Sequence, residues 1–321
     1  MIVLGIESTA HTLGIGIAEN KKGKIKILAN SNAKYPVADF IPRKLADHHA
    51  KQFKQVLAAA LKQACVSLHD IDAFAYSQGP GLGHCLHLGF VGAQTLALEF
   101  EKPLIPVNHV VAHIEVVKWA CKARDPLVVF VSGGNTQLIA KQGKHYHVFG
   151  ETLDIGVGNF LDKLGRGLKL NPPDAIGVIK AAGKSRELIE LPYTVKGMDL
   201  AFSGLLTACL NSKASKNAVA YSAQETAFAM VTEASERALR HADKKELLIC
   251  GGVAQNKRFV EMMRRMAKDA GSRFLTAPNE FNGDNGGQIA LTGLLMAAGG
   301  KRYANAEPRQ KTRVEDVEIA W

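Results

Sequence analysis

Two histidines lie four positions apart in the segment NHVVAHIE, residues 108–115, with small and apolar residues between them. On a helix, positions i and i+4 share one face, so His109 and His113 can reach the same metal ion. Two packed or exposed histidines would show the same spacing, and the pair alone leaves both interpretations open. Val110 occupies the position where a zinc peptidase of the HExxH type keeps its general base. The pattern therefore does not favour a peptidase.

A metal site built on these histidines needs a third ligand from elsewhere in the chain. The best candidate is Asp284 in FNGDNGG, a carboxylate flanked by glycine and asparagine just before a predicted helix. The alternative is that Asp284 caps this helix, a role its neighbours fit equally well. The five cysteines are scattered, without CxxC spacing, which argues against a thiolate site and is typical of a reducing compartment.

Three loops contain the small residues that commonly surround a phosphate: ESTAHT after the first predicted strand, SGGNT after a later one, and GGVAQN after a third. Backbone N–H groups in glycine turns and at helix N-termini point toward anions and need no side-chain charge. A single such loop is often only a turn. Three together predict a bound nucleotide.

The elements that position these residues alternate between strands and helices. The opening strand–turn–strand pattern, IVLGIE to LGIGIAE, returns midway as VVFV, SGGNT and QLIAK, which predicts two similar α/β halves. Helical spacing predicts helices over residues 46–64 and 223–242, and Asn108 is a suitable cap for the helix that carries the histidines.

The composition is that of a folded protein with a basic surface. Hydrophobic residues make up 47% of the 321 residues and charged residues 22%, and the formal net charge is +10. This excess of lysine and arginine favours polyanions, above all nucleic acid, although a solvated basic surface explains it equally well. No segment has the length or apolar content of a signal peptide or a membrane span, so we expect a cytoplasmic protein without a membrane partner.

Nine motifs, spread in order over nearly the whole chain, are similar to those of the universal tRNA threonylcarbamoyltransferase family. The resemblance is to its archaeal and eukaryotic branch, the catalytic subunits of the KEOPS complex, which are related to the bacterial enzymes. The motifs are GIESTAHT, PRKLADHH, SQGPGLGHCL, NHVVAHIE, VSGGNTQ, GETLDIGVGN, DLAFSGLLTA, GGVAQNKR and FNGDNGG.

The resemblance implies an α/β fold of the actin, sugar-kinase and heat-shock-ATPase (ASKHA) type, with two duplicated ribonuclease-H-like lobes around a central cleft. Residues 1–125 are then expected to form the N-terminal lobe that carries the histidine pair. Residues 126–300 are expected to form the C-terminal lobe with the nucleotide loops, and residues 301–321 a tail that packs back on the N-terminal lobe.

The resemblance also implies a reaction. The threonylcarbamoyl group of threonylcarbamoyl-AMP would pass to the exocyclic amine of the adenosine 3′ to the anticodon, in tRNAs that read codons starting with A, and AMP would leave. Because the acyl group arrives activated, no residue is assigned as a nucleophile. The implied partners are tRNA and KEOPS-type subunits, namely a small protein kinase and small accessory proteins.

By similarity, His109, His113 and Asp284 hold one divalent metal ion per chain, iron or zinc, which sequence cannot separate. The residues expected to contact an adenine nucleotide or threonylcarbamoyl-AMP are Ser132, Gly133, Gly134, Asn135, Asp162 and Asn256.

Two positions depart from the family pattern. Phe130 stands where the archaeal branch commonly has a tyrosine that can contact the metal, so three protein ligands are expected here. The segment NPPDAIGV replaces a PGGP segment with a following glutamate that contacts the ribose, and Gly177 falls at the acidic position. Asp174 is the nearest carboxylate that could substitute.

Other functions on this sequence are a small-molecule kinase or ATPase of the same fold, a metallopeptidase, and a weakly active scaffold paralogue. A kinase of this fold needs a catalytic carboxylate facing its phosphoryl acceptor and has no use for the His109–His113 pair. Metal content would therefore distinguish a kinase from the transferase.

Overall fold

The structure, a computed structural model, describes residues 1–36, 41–300 and 307–321. These residues form two compact units: the first comprises Met1–Ala120, Lys144–Tyr146 and Gly283–Trp321, and the second comprises Cys121–Gly143 and His147–Asn282. Residues 301–306 of the predicted tail lie outside the described residues, and the domain boundaries given above stay a prediction. Within the described ranges, no helix has both the length and the apolar content needed to cross a membrane.

Strands and helices alternate along most of the chain. The strands are β1 (Ile2–Glu7), β2 (Thr12–Lys21), β3 (Lys24–Lys34), β4 (Ala73–Gly79), β5 (Leu104–Asn108), β6 (Pro126–Val131), β7 (Thr136–Gln142), β8 (His145–Glu151), β9 (Val195–Lys196), β10 (Asp199–Leu200), β11 (Glu246–Cys250) and β12 (Arg273–Thr276). The helices are α1 (Pro42–Ala64), α2 (Gly83–Glu99), α3 (His109–Cys121), α4 (Val157–Gly167), α5 (Ala175–Ala182), α6 (Ser203–Asn211), α7 (Lys216–His241), α8 (Lys257–Asp269) and α9 (Gly286–Ala298).

The helices predicted from apolar spacing are present, and both begin earlier than expected. The helix predicted over residues 46–64 starts at Pro42, because proline fits the first turn, where its missing N–H has no helical partner. The helix predicted over residues 223–242 starts at Lys216, after Ser215, whose side chain accepts a hydrogen bond from the backbone of Ala218. Capping residues outside the apolar pattern therefore decide where these helices begin.

The first unit contains a five-stranded sheet in the order β3-β2-β1-β4-β5. The strands β1, β2 and β3 are antiparallel, and β4 and β5 run parallel to β1. Because side chains alternate between the faces of a strand, Leu4 and Ile6 pack with α1 and α2 on one face, whereas Val3 packs with α9 on the other. Both faces are covered, which explains the nearly continuous apolar sequence of β1.

Helix α9 lies unusually close to this sheet because glycines line the contact. A Cβ atom added at Gly5 of β1 would collide with the backbone of Ala290, and one added at Gly14 or Gly16 of β2 would collide with the backbone of Gly286. The helix backbone therefore rests directly on the strand backbone at these points. This contact fixes the start of α9, where Asp284 and its neighbours lie.

The second unit contains a sheet in the order β12-β11-β6-β7-β8, which repeats the order of the first sheet when it is read from β8. The strand β6 pairs antiparallel with β7 and parallel with β11, as β1 pairs with β2 and β4. The repeated strand order confirms the duplication predicted from the two hairpin openings. The parallel strands β6 and β11 place the SGGNT and GGVAQN loops at the same end of the sheet.

Candidate metal centre and nucleotide loops

The two histidines of the NHVVAHIE segment belong to the first turns of α3. Asn108 precedes the helix, and its Oδ1 accepts hydrogen bonds from the backbone N–H groups of Val110 and Val111, at 2.9 and 3.1 Å. The prediction that Asn108 caps this helix is confirmed. His109 is the first helical residue, and its ring centroid lies 4.6 Å from that of His113, with the two planes nearly perpendicular.

Asp284 comes from a distant part of the chain, two residues before α9. The cap of this helix is Asn285, whose side chain accepts a hydrogen bond from the backbone of Gln288 at 2.9 Å. The alternative in which Asp284 caps the helix is therefore wrong. Its carboxylate points to the histidines instead: Oδ1 lies 3.2 Å from His113 Nε2 and 3.6 Å from His109 Nε2.

This donor set matches the requirements of a transition metal. The three side chains each offer one ligand atom, and these atoms all lie within 4.8 Å of one another. Ligands bound tetrahedrally at about 2.0–2.1 Å are roughly 3.3 Å apart, close to the two separations from Asp284 given above. Two imidazole nitrogens and one carboxylate oxygen suit iron or zinc and leave further coordination positions open.

Glu7, at the end of β1, supports this cluster and was not singled out from the sequence. Its side chain is fully buried. Oε1 accepts hydrogen bonds from the backbone and hydroxyl of Thr9, at 2.7 and 2.6 Å, and Oε2 lies 2.9 Å from His109 Nδ1. Gln288 Nε2 also donates to Oε2, at 3.4 Å. Because Nδ1 of His109 faces Glu7, Nε2 is the atom that remains for a metal.

Charges in this cluster depend on one another. Burial opposes the imidazolium form of His109, but the adjacent Glu7 carboxylate outweighs burial and raises the His109 pKa to about 9. Burial lowers the pKa of His113. Burial also disfavours the charged form of Asp284, yet the hydrogen bond from His113 and the charge of His109 hold the Asp284 pKa below its usual range. The buried carboxylate of Glu7 and the partly buried one of Asp284 thus favour a cation at this place.

The SGGNT loop of the second unit connects β6 to β7. The backbone of Ser132 donates to the carbonyl of Asn135 at 2.8 Å, and the backbone of Asn135 donates to Ser132 Oγ at 3.1 Å, which closes a tight turn. Gly133 and Gly134 at its tip are exposed. A Cβ atom added at Gly134 would meet nothing within 4 Å, and one added at Gly133 only Asn159 Oδ1, at 3.4 Å. The loop backbone is therefore open to a ligand.

The GGVAQN loop follows β11 and lies beside the SGGNT loop, since a Cβ atom at Gly251 would collide with the backbone of Val131. Asn256 ends this loop and caps α8, accepting hydrogen bonds from the backbones of Arg258 and Phe259. Its amide donates to Gln224 Oε1 at 3.4 Å.

Asn256 also lines a cavity of ≈ 840 Å³ between the α5 end, α7 and the start of α8. Its walls include Arg186, whose guanidinium lies 5.6 Å from the ring centroid of Tyr221, and the Glu225–Arg258 ion pair at 2.6 Å. Of the residues predicted to contact the nucleotide, Asn256 lines this cavity, whereas Asp162 and the SGGNT residues do not.

Asp162, expected to contact the nucleotide, and Asp174, the possible substitute for the ribose carboxylate, both bond to the backbone of α5. Asp162 Oδ1 accepts a hydrogen bond from the backbone of Ala175, at 2.9 Å, and Asp174 caps α5 by accepting one from Gly177, at 3.1 Å. A Cβ atom at Gly177 would collide with the carbonyl oxygen of Pro172. The local backbone therefore excludes an acidic side chain at Gly177, in agreement with the shortened NPPDAIGV segment.

Comparison with known proteins agrees with the motifs. The family model for tRNA N6-adenosine threonylcarbamoyltransferase (TsaD) matches residues 26–291. Proteins named tRNA N6-adenosine threonylcarbamoyltransferase from Thermococcus kodakarensis and Archaeoglobus fulgidus are each 45% identical to this chain. Each alignment covers 100% of this chain and 100% of the relative. The chain belongs to the tRNA N6-adenosine threonylcarbamoyltransferase family.

Solved structures with little sequence similarity share the fold of this family member. HypF from Thermococcus kodakarensis aligns with 92% of this chain and 48% of its own length, at a TM-score of 0.67 and 15% identity. The activator of 2-hydroxyisocaproyl-CoA dehydratase from Clostridium difficile aligns with 94% of this chain and 97% of its own length, at a TM-score of 0.56 and 12% identity. The α/β fold of the ASKHA type, predicted from the resemblance, is confirmed.

Two residues that support the candidate metal centre were not predicted from the sequence, for a common reason. Glu7 and Gln288 are fully buried polar residues that meet only because β1 and α9 are adjacent in the first unit. The sequence offers one indication of a role for Glu7, its position at the carboxyl end of a buried strand. Glu7 begins the ESTAHT loop, for which the sequence predicts phosphate binding. Its observed hydrogen bonds go to Thr9, His109 and Gln288.

Proposed function

We propose that this protein transfers the threonylcarbamoyl group from threonylcarbamoyl-AMP to the exocyclic amine of the adenosine 3′ to the anticodon, in tRNAs that read codons starting with A, and releases AMP. The proposal is supported by family membership over the full chain. The observation that carries it is the convergence of His109, His113 and Asp284, because kinases and ATPases of the same fold have no need for such a cluster.

We infer that these three side chains hold one iron or zinc ion. When bound, such an ion can orient the substrate and stabilise the negative charge that develops on the carbonyl oxygen under attack by the amine. Glu7 holds the His109 ring so that Nδ1 is occupied and Nε2 is directed to the ligand position. By similarity, the fourth ligand of the archaeal branch would be a tyrosine at position 130; Phe130 has no donor atom, so we infer a set of three protein ligands.

The adenylate part of the substrate is assigned to the second unit. The exposed backbone at Gly133 and Gly134 suits a phosphate, since N–H groups can approach it without a side chain in the way. The cavity lined by Asn256, Gln224 and Tyr221, together with charged side chains such as Arg186, has the size and the mixed apolar and polar surface that suit a nucleoside. Because Gly177 stands at the acidic position and Asp174 caps α5, we infer that ribose is held without the family's usual glutamate. The contact of Asp162 with the nucleotide stays a prediction, since its observed hydrogen bond involves only Oδ1.

The partners are proposed from the family. A relative from Methanocaldococcus jannaschii, 44% identical, is named a probable bifunctional tRNA threonylcarbamoyladenosine biosynthesis protein, and this chain covers 60% of its length. A second activity in one polypeptide supports the proposal that this chain works with separate KEOPS-type subunits. The +10 net charge supports direct binding of tRNA. Cytoplasmic localisation stays a prediction from the sequence.

Reconstitution tests the proposal. The purified protein, accessory subunits and unmodified tRNA are supplied with threonylcarbamoyl-AMP; modified adenosine is measured by mass spectrometry, and metal by elemental analysis. We expect about one iron or zinc ion per chain and full modification. His113→Ala should lose both, whereas His87→Ala, a control on the exposed face of α2, should keep both. Metal retained by His113→Ala, or full activity of metal-free protein, would contradict the proposed site.

A further inference from the structure

The SQGPGLGHCL motif has no role in the metal cluster or the nucleotide loops, and the structure shows what it contacts. On one side, its loop meets the end of the chain. The backbone of Arg309 donates to the carbonyl of Gln78 at 2.8 Å, and the backbone of Gly81 donates to the carbonyl of Gln310 at 3.3 Å. A Cβ atom at Gly79 would collide with the carbonyl oxygen of Arg309, so the two backbones touch.

On its other side, the same loop meets the ESTAHT loop. The backbone of Leu82 donates to the carbonyl of Thr9 at 2.8 Å, and a Cβ atom at Gly81 would lie 2.7 Å from that same oxygen. Thr9 in turn donates two hydrogen bonds to Glu7, the residue that faces His109 Nδ1. The loop therefore connects the end of the chain to the support of one predicted metal ligand.

The segment at the end of the chain also contacts Asn108, the residue that precedes His109. The amide of Asn108, whose oxygen caps α3, donates to the carbonyl of Arg313 at 3.2 Å and to Thr312 Oγ1 at 3.3 Å. The segment that makes these contacts is anchored further on by the buried side chains of Val314 and Ile319, each 3% exposed. Residues 309–313 thus contact both Asn108, the cap before His109, and the SQGPGLGHCL loop, which bonds to Thr9 beside Glu7.

We propose that residues 309–313 position His109 for metal binding, with Thr312 and Asn108 as the positioning residues. Neither side chain reaches the metal cluster itself; they act by fixing the first turn of α3 against a segment that is anchored at its far end. Hydrogen bonds around a ligating histidine determine its orientation, and their loss typically weakens metal binding. This inference rests on the proposed function, because it assigns the metal to His109, His113 and Asp284.

The test uses the full chain, stripped of metal and titrated with Co²⁺, whose visible absorption reports both affinity and ligand geometry. Thr312→Val keeps the shape and removes the hydroxyl, and should weaken Co²⁺ binding about fivefold, while Thr312→Ser restores it. Asn108→Ser keeps a capping oxygen but loses the amide donor, and should weaken binding about tenfold. Lys311→Ala, exposed in the same segment, is the matched control.

The double variant of Asn108→Ser and Thr312→Val decides between positioning and general destabilisation. Its Co²⁺ affinity should equal that of Asn108→Ser alone, because both changes remove the same link, whereas independent structural losses would add. Wild-type affinity and spectrum in both single variants would overturn this proposal and leave the metal site standing. Failure of the wild-type protein to bind Co²⁺ would overturn the metal site and this proposal together.

Discussion

The metal cluster is built from side chains, whereas the SGGNT loop offers backbone groups. The cluster consists of side chains in largely buried positions, and Glu7 restricts His109 through a hydrogen bond. Thr9 and Gln288 in turn donate hydrogen bonds to Glu7. The SGGNT loop instead offers exposed backbone, with open space where a side chain would stand. We therefore expect metal binding to weaken when side-chain atoms of the cluster are removed. Nucleotide binding should instead weaken when side-chain atoms are added to the loops.

The largest effect is expected from removing a ligand of the cluster. Asp284→Ala should weaken metal binding roughly a hundredfold or more, because a three-ligand site loses a third of its donors and its negative charge. Adenosine binding should change less than about twofold, since the cavity lined by Asn256 lies within the second unit. Metal titration and calorimetry with adenosine measure the two affinities. A parallel loss of adenosine binding would show that the two regions are not independent.

The next largest effect should come from Glu7→Gln. The substitution keeps the side-chain volume but removes the negative charge. The new amide NH₂ group, a donor, would also face His109 Nδ1 or the donors of Thr9. Metal affinity should fall about thirtyfold, within the range seen when the support of a ligating histidine is lost. Glu19→Gln on the neighbouring strand β2 is the control, as Glu19 lies outside this cluster. Unchanged metal affinity in Glu7→Gln would remove Glu7 from the account of the site.

Adding atoms to the SGGNT loop should produce an effect of intermediate size. Gly133→Leu should weaken AMP binding about tenfold and adenosine binding much less, because it blocks approach of the phosphate to the backbone. The melting temperature and metal affinity should be unchanged, since the added Cβ has room. Gly204→Leu on α6, where a Cβ meets nothing within 4 Å, is the matched control. Equal losses for AMP and adenosine would place the phosphate elsewhere.

The smallest effect separates two roles of Asn256. Asn256→Ala should lower the free energy of unfolding by about 1 kcal/mol, the usual cost of an N-cap, and weaken adenosine binding about threefold. Asn256→Ser should restore stability, because serine also caps a helix, without restoring adenosine affinity. Chemical denaturation and calorimetry measure the two quantities. If serine restored both, Asn256 would act only as the cap of α8.

The sequence predicted the parts of the site that follow from local spacing. Helical periodicity placed His109 and His113 on one face, and the repeated hairpin predicted two similar sheets. Glu7 was missed because its partner His109 is 102 residues away, and no spacing rule links a strand end to a helix start. Asp162 is expected to contact the nucleotide by similarity alone, and this contact stays a prediction; in the structure its Oδ1 accepts a hydrogen bond from the backbone of Ala175.

The contact between α9 and the sheet has a consequence for how accurately Asp284 can be placed. Where two elements meet through interdigitating side chains, their separation varies as rotamers change and as small voids open or close. Gly5, Gly14 and Gly16 leave no side chain between α9 and the strands, so backbone meets backbone and no rotamer can be exchanged. The spacing between the start of α9 and the end of β1 is then set by atomic radii. Substitutions in the surrounding core can therefore change side-chain volumes while the distance between α9 and the strands stays constant.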